Sequence, residues 1–152
     1  MRAKESAGKY VQLLPVGPDT HVALAGDVDT NTGLFVRSIL EQPSLTLSRR
    51  VIQVTDVLSK GDMLRAWGRA TGHDGLVELL KIPIEDYERL YPGWGFEMGN
   101  MLKYFDWMGE WKRSWDVDDN VVTAKALGIE DRVVGFEEGL KKWCSDLKEC
   151  PR

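Results

Sequence analysis

The sequence predicts a small α/β domain of the α+β kind, a short sheet packed with amphipathic helices, forming a single domain over residues 1–152. Three observations predict it. The length, 152 residues, is that of one ordinary domain. The composition, 43% hydrophobic and 29% charged, is close to globular averages and excludes a disordered or fibrous chain. Short β-branched runs are interspersed with stretches whose apolar residues recur on the helical period.

The elements follow in order. Lys9 to Leu14 reads as a strand, because Tyr10 and Val11 favour extended backbone. Pro15-Val16-Gly17-Pro18-Asp19 is a turn, and His21 to Leu24 is a second strand, so the first 25 residues read as a hairpin. Gly26 to Thr32 is a polar loop rich in capping residues, Asp27 and Asn31 among them. A helix then runs to about Glu41, with Leu34, Phe35, Ser38 and Ile39 inward and Pro43 as its stop. Val51-Ile52-Gln53-Val54 reads as a buried strand. Ser59 or Asp62 caps the next helix, which turns Met63, Leu64 and Trp67 inward and ends at Gly72. Leu76 to Ile82 is a strand, and Pro83 opens a short helix that Pro92-Gly93 breaks. Trp94 to about Trp111 is the longest predicted helix, apolar over more than one face and so expected to be buried on two sides. Lys112 to Val122 is irregular, Thr123 to Gly128 forms one turn of helix, and Phe136 to Leu147 is a final amphipathic helix with Leu140, Trp143 and Leu147 on its apolar side.

Charge and patterning exclude several function classes. Lys and Arg number 20 against 24 Asp and Glu, a net charge of −4, which is a poor match to the basic face that nucleic acid requires. No apolar run approaches the roughly 20 residues that span a bilayer. The start, Met1-Arg2-Ala3-Lys4-Glu5-Ser6, has no secretory core. Two cysteines, Cys144 and Cys150, make no disulfide framework, so a reducing cytoplasm is the expected location. His21 and His73 lack ligand spacing, and no metal site is expected.

Aromatic residues crowd one region. Of six tryptophans, Trp94, Trp107, Trp111 and Trp115 fall within residues 94–115, beside Tyr87, Tyr91, Phe96, Tyr104 and Phe105. Such a concentration of rings lines a pocket or an interface as readily as a core.

Ordered stretches resemble the C-terminal, substrate-binding half of the NmrA-like family of atypical short-chain dehydrogenase/reductase proteins. They are Gly26-Asp27-Val28-Asp29-Thr30-Asn31-Thr32-Gly33-Leu34-Phe35-Val36, Ile84-Glu85-Asp86-Tyr87, Gly93-Trp94-Gly95-Phe96-Glu97-Met98-Gly99, Ala126-Leu127-Gly128-Ile129 and Gly135-Phe136-Glu137-Glu138-Gly139-Leu140. The likeness runs from about Lys9 to the end, with one local departure: Asn31 stands where the family has a second acidic residue. The family's nucleotide-binding half, with its glycine-rich turn, has no counterpart. There is no G-x-G-x-x-G, the Gly93 to Gly99 spacing is wrong for one, and no Tyr-x-x-x-Lys pair occurs. The resemblance therefore implies a substrate half with no cofactor held in the family's manner. It implies a cofactor-independent enzyme of secondary metabolism, a cyclase (Diels–Alder type) or isomerase acting on an apolar polyketide- or terpene-like molecule. An NAD(P)-dependent reductase fragment and a non-catalytic binding or regulatory module are the alternatives.

The site residues expected on this reading centre on the aromatic helix. Glu97, between Phe96 and Met98, is expected to be half-buried with a raised pKa, as acid or base, and Tyr104 is expected as a hydroxyl donor. Tyr87, Trp94, Met101, Phe105 and Met108 are the expected pocket walls. Positions 94, 97, 101, 104 and 105 share one broad helical arc. A homodimer is expected, because the strand near Val51 to Val54 would lose the cover of a larger sheet.

Overall fold

A computed structural model describes residues 4–6, 8–109 and 118–147, and the fold class is α+β as expected. The chain divides into two compact units, residues 1–22 with 58–110 and 149–152, and residues 23–57 with 111–148.

In the first unit, β2 (Lys9–Leu14) lies between β1 (Lys4–Ser6), antiparallel, and β6 (Val77–Lys81), parallel. Tyr10 stands opposite Val77 and Leu14 opposite Lys81. The expected hairpin between β2 and β3 (His21–Leu24) does not form, since β3 pairs with β5 (Asp56–Ser59) instead. The reason is the connection: Pro15 and Val16 are buried in the core, so the chain leaves the sheet rather than reversing. The parallel partner β6 is reached through α3 (Lys60–Thr71), because parallel strands need a crossover. Ser59 caps α3, accepting from the Asp62 amide at 3.0 Å, and Gly72 closes it in the left-handed region at φ 77°. Leu14, Val16, Tyr87 and Leu102 form the core, with Leu79, Ile82, Tyr91, Met98 and Phe105 packed around them.

Tyr87 belongs to α4 (Ile84–Leu90), which packs beside α5 (Gly95–Met108). Its ring is 0% exposed, and its hydroxyl has no hydrogen-bond partner among the described residues. Burial accordingly pushes the phenol pKa up. An unmet buried hydroxyl costs about 1–3 kcal/mol. Tyr87→Phe is therefore expected to raise the unfolding free energy by about 1 kcal/mol in urea titrations. A clear loss of stability would mean that the hydroxyl has a partner.

In the second unit, α1 (Val28–Glu41) starts earlier than expected, taking in most of the polar loop, and buries Asn31, Phe35 and Ser38. Pro43 does not simply stop a helix but opens α2 (Pro43–Thr46). The strand expected over Val51 to Val54 is shorter and shifted: β4 is Arg50–Val51, half-buried at Val51, and it pairs in parallel with β7 (Val121–Val122). Its edge is thus partly covered, which removes the stated ground for a dimer there. Phe35, Val122, Ala124, Leu127 and Ile129 form this unit's core. A short 3₁₀ turn at Glu130–Arg132 precedes α6 (Phe136–Leu147), whose first amide, that of Phe136, donates to the Asp56 carboxylate at 2.8 Å. Cys144 is buried on α6, whereas Trp143, expected inward, is exposed. Cys150, Trp111 and Trp115 lie outside the described residues.

Asp27 precedes α1 but makes no side-chain cap; its carboxylate instead accepts from Lys142 of α6 at 2.8 Å and from the Thr30 hydroxyl at 2.6 Å. The Lys142 ammonium, then the Thr30 hydroxyl, hold its pKa below the ordinary 3.8. For a depressed carboxylate the stabilisation is present above the ordinary value and disappears as pH falls through the lowered one. The melting temperature is expected to fall on acidification below about pH 4, and to fall less steeply in Asp27→Asn. Parallel pH profiles for the two proteins would remove Asp27 from the acid response.

Candidate functional site

The geometry of α5 decides what the aromatic region can do. Gly95, Gly99 and Leu102 are its buried residues. A Cβ at Gly95 would lie 2.8 Å from Glu88 Cα and 2.9 Å from the Tyr87 carbonyl oxygen, both on the backbone of α4. A Cβ at Gly99 would lie 3.1 Å from the Ile84 side chain. Two glycines four apart thus let the helices approach closely, and they choose which face of α5 is the inner one.

That choice turns the expected catalytic pair outward. Glu97 and Tyr104 fall on the side of the helix opposite Gly95 and Leu102, and both are exposed, Tyr104 at 52%. Glu97 is therefore exposed rather than half-buried as expected. Met101 and Trp94 are exposed, Met108 is half-buried, and Phe105 packs against the core. Tyr87 is core rather than a cavity wall, its ring 4.9 Å from Tyr91 and 6.4 Å from Trp94. The expectation that α5 is buried on two sides is likewise corrected: one face is buried, and Phe96 and Trp107 stand in the open.

A cleft of about 700 Å³ opens elsewhere in the first unit, lined by Pro15, Lys81, Ile82, Pro83, Ile84, Glu85, Lys103, Asp106 and Trp107. This volume is within the range of small-molecule sites. None of the seven expected site residues lines it. One wall is the segment from the end of β6 into α4. The other is the face of α5 on which Lys103, Asp106 and Trp107 meet, spaced three and four apart.

Its polar groups are arranged unevenly. Asp106 accepts from the Thr20 hydroxyl at 2.5 Å. It lies in the last turn of α5, where a carboxylate opposes the helix dipole, and the Thr20 hydrogen bond offsets part of that opposition. Glu85 lies in the first turn of α4, where an acid suits the dipole. Lys81 and Lys103 are exposed and make no ion pair among the described residues. No group of three or more potential metal ligands occurs among the described residues, and no helix there is long and apolar enough to cross a membrane.

The sequence signal missed was the Gly95-Gly99 pair, read as a family motif and against a phosphate loop but not as a packing feature. Taken as a close-packing stripe, it places residues 103, 106 and 107 on one flank of the inner face and 101 and 105 on the other. No protein-family model matches the chain, and no curated protein matches it.

Proposed function

We propose that this chain binds a small ring-bearing molecule, and that the cleft beside α5 is where it does so. The observation that carries the reading is the composition of the lining: apolar Pro15, Ile82, Pro83, Ile84 and Trp107 surround four charged groups within about 700 Å³. Ligand-detected NMR with 2-naphthol as probe, followed by amide shift mapping, tests it. Shifts gathered at residues 81–85 and 103–107 are the expected result; shifts scattered elsewhere, or none, would overturn it.

The ordered motifs quoted above support a relationship to the substrate half of NmrA-like proteins. On that reading the bound molecule is apolar and undergoes a cofactor-independent cyclisation (Diels–Alder type) or isomerisation. The observation favouring chemistry is the placement of Asp106, hydrogen-bonded to Thr20, in the same cleft as Lys81 and Lys103, so that a proton donor and a proton acceptor border one space. Titration calorimetry should give no NAD(H) or NADP(H) binding at millimolar concentration; micromolar binding would favour the reductase alternative.

A homodimer remains part of the proposal, supported by the uncovered side chains Val36, Leu40 and Leu47, and sedimentation velocity decides it. A cytoplasmic location is supported by the cysteine count alone. A thiol count on protein isolated under non-reducing conditions tests it, because disulfides persist in oxidising compartments.

A further inference from the structure

We infer that the ligand of the cleft is a planar acid, a flat aromatic body carrying a carboxylate, with Lys81 and Lys103 as its charge partners and Trp107 as its ring partner. This inference rests on the binding of a ring-bearing molecule proposed above, and not on the cyclase reading, whose bound molecule is apolar. Of the four charged groups in the lining, Asp106 receives the Thr20 hydroxyl at 2.5 Å, and Glu85 sits in the first turn of α4, where an acid suits the helix dipole. Neither ammonium group makes an ion pair or a hydrogen bond among the described residues. They come from opposite walls, Lys81 from the end of β6 and Lys103 from α5, so one anion entering the cleft meets a cation from each side.

The second observation is independent of charge. Trp107 is 81% exposed although it lines the cleft, and its one ring contact among the described residues is with Tyr104 of its own helix, centroids 6.0 Å apart and planes tilted by 36°. An indole left in water at the rim of a cavity offers a face on which a second ring stacks. Pro15, Ile82 and Pro83 supply an apolar surface within the same cleft. A flat ring held there by its face and by a carboxylate between two ammonium groups satisfies the exposed indole and both unpaired cations of the lining.

The experiment uses 2-naphthoate and its neutral isostere 2-naphthamide, with titration calorimetry for affinity and amide shift mapping for location. Naphthoate is expected to bind at least about tenfold more tightly than the amide, because charge-assisted hydrogen bonds exceed neutral ones. Lys81→Met and Lys103→Met should each weaken naphthoate and leave the amide unchanged, and Trp107→Ala should weaken both. All three residues are exposed, and circular dichroism checks that the variants fold. Equal affinity for acid and amide at the cleft would overturn the acid inference and leave the cleft standing. Naphthoate bound away from residues 81–85 and 103–107, or no binding of either probe at millimolar concentration, would overturn both. Inorganic phosphate binding as tightly as naphthoate would reduce the site to a bare anion site and also overturn the inference.

Discussion

Asn31→Asp is expected to cost about 3–5 kcal/mol of folding free energy at neutral pH, the usual effect of leaving a buried charge uncompensated. Asn31 is 0% exposed and uses both ends of its amide. Its nitrogen donates to the Ala25 carbonyl at 2.9 Å and to the Val134 carbonyl at 2.8 Å, and its oxygen accepts from the Val134 amide at 2.8 Å. It fastens the segment before α6 to the start of α1, around Gly26. At Gly26, with φ 64°, a Cβ would come within 2.1 Å of the Val134 oxygen. A carboxylate keeps the one acceptor and turns two donor bonds into oxygen facing oxygen. The introduced acid would have a raised pKa in the folded state, so the penalty is absent below its unfolded value of about 3.9 and grows as pH rises towards the folded value. Denaturant titrations from pH 4 to 8 should therefore find the variant closest to the parent in acid. A uniform deficit across that range would point to lost hydrogen bonds rather than to charge. The fold here needs the amide's donors, and the role of Asn31 is a clamp rather than a helix cap.

Much of the secondary structure was legible because it depends on neighbours in sequence. Lys9 to Leu14, His21 to Leu24 and Phe136 to Leu147 lie where β-branched content or helical periodicity puts them, and Ser59 and Gly72 end their helix by local cap chemistry. Pairing was not legible. The turn residues Pro15 to Asp19 between two strand-like runs predict a β2–β3 hairpin, whereas β2 chooses β6, more than 60 residues on, as Tyr10 opposite Val77 records. The extent of the strand at Val51 failed for a related reason: its partner is only the two residues Val121–Val122, so pairing ends where the partner does. For the candidate site, periodicity correctly grouped positions 94, 97, 101, 104 and 105 on one arc but could not say which arc faces inward. On a helix with rings on several sides, hydrophobicity does not break that tie. Gly95 and Gly99 break it, because a neighbouring helix can come closest where no Cβ stands in the way.

The same reasoning makes Gly95→Ala costly and Gly99→Ala nearly silent, although both replace a glycine on one face of one helix. At Gly95 the new methyl would meet backbone atoms, Glu88 Cα at 2.8 Å and the Tyr87 oxygen at 2.9 Å, and backbone cannot rotate away. The helices α4 and α5 must separate, which disturbs the packing of Tyr87 and Leu102 and is expected to cost about 2–3 kcal/mol. At Gly99 the methyl would meet the Ile84 side chain at 3.1 Å and the Tyr87 ring at 3.4 Å. A side chain can shift by a few tenths of an ångström, and alanine in a helix interior gains up to about 1 kcal/mol over glycine, so the net change is expected within about 1 kcal/mol of zero. Ile84 also lines the cleft, so Gly99→Ala should alter ligand affinity while leaving stability almost unchanged. Equal losses of stability at the two positions would mean that the close approach is not what orients α5, and the assignment of residues 103, 106 and 107 to the cleft would lose its physical basis.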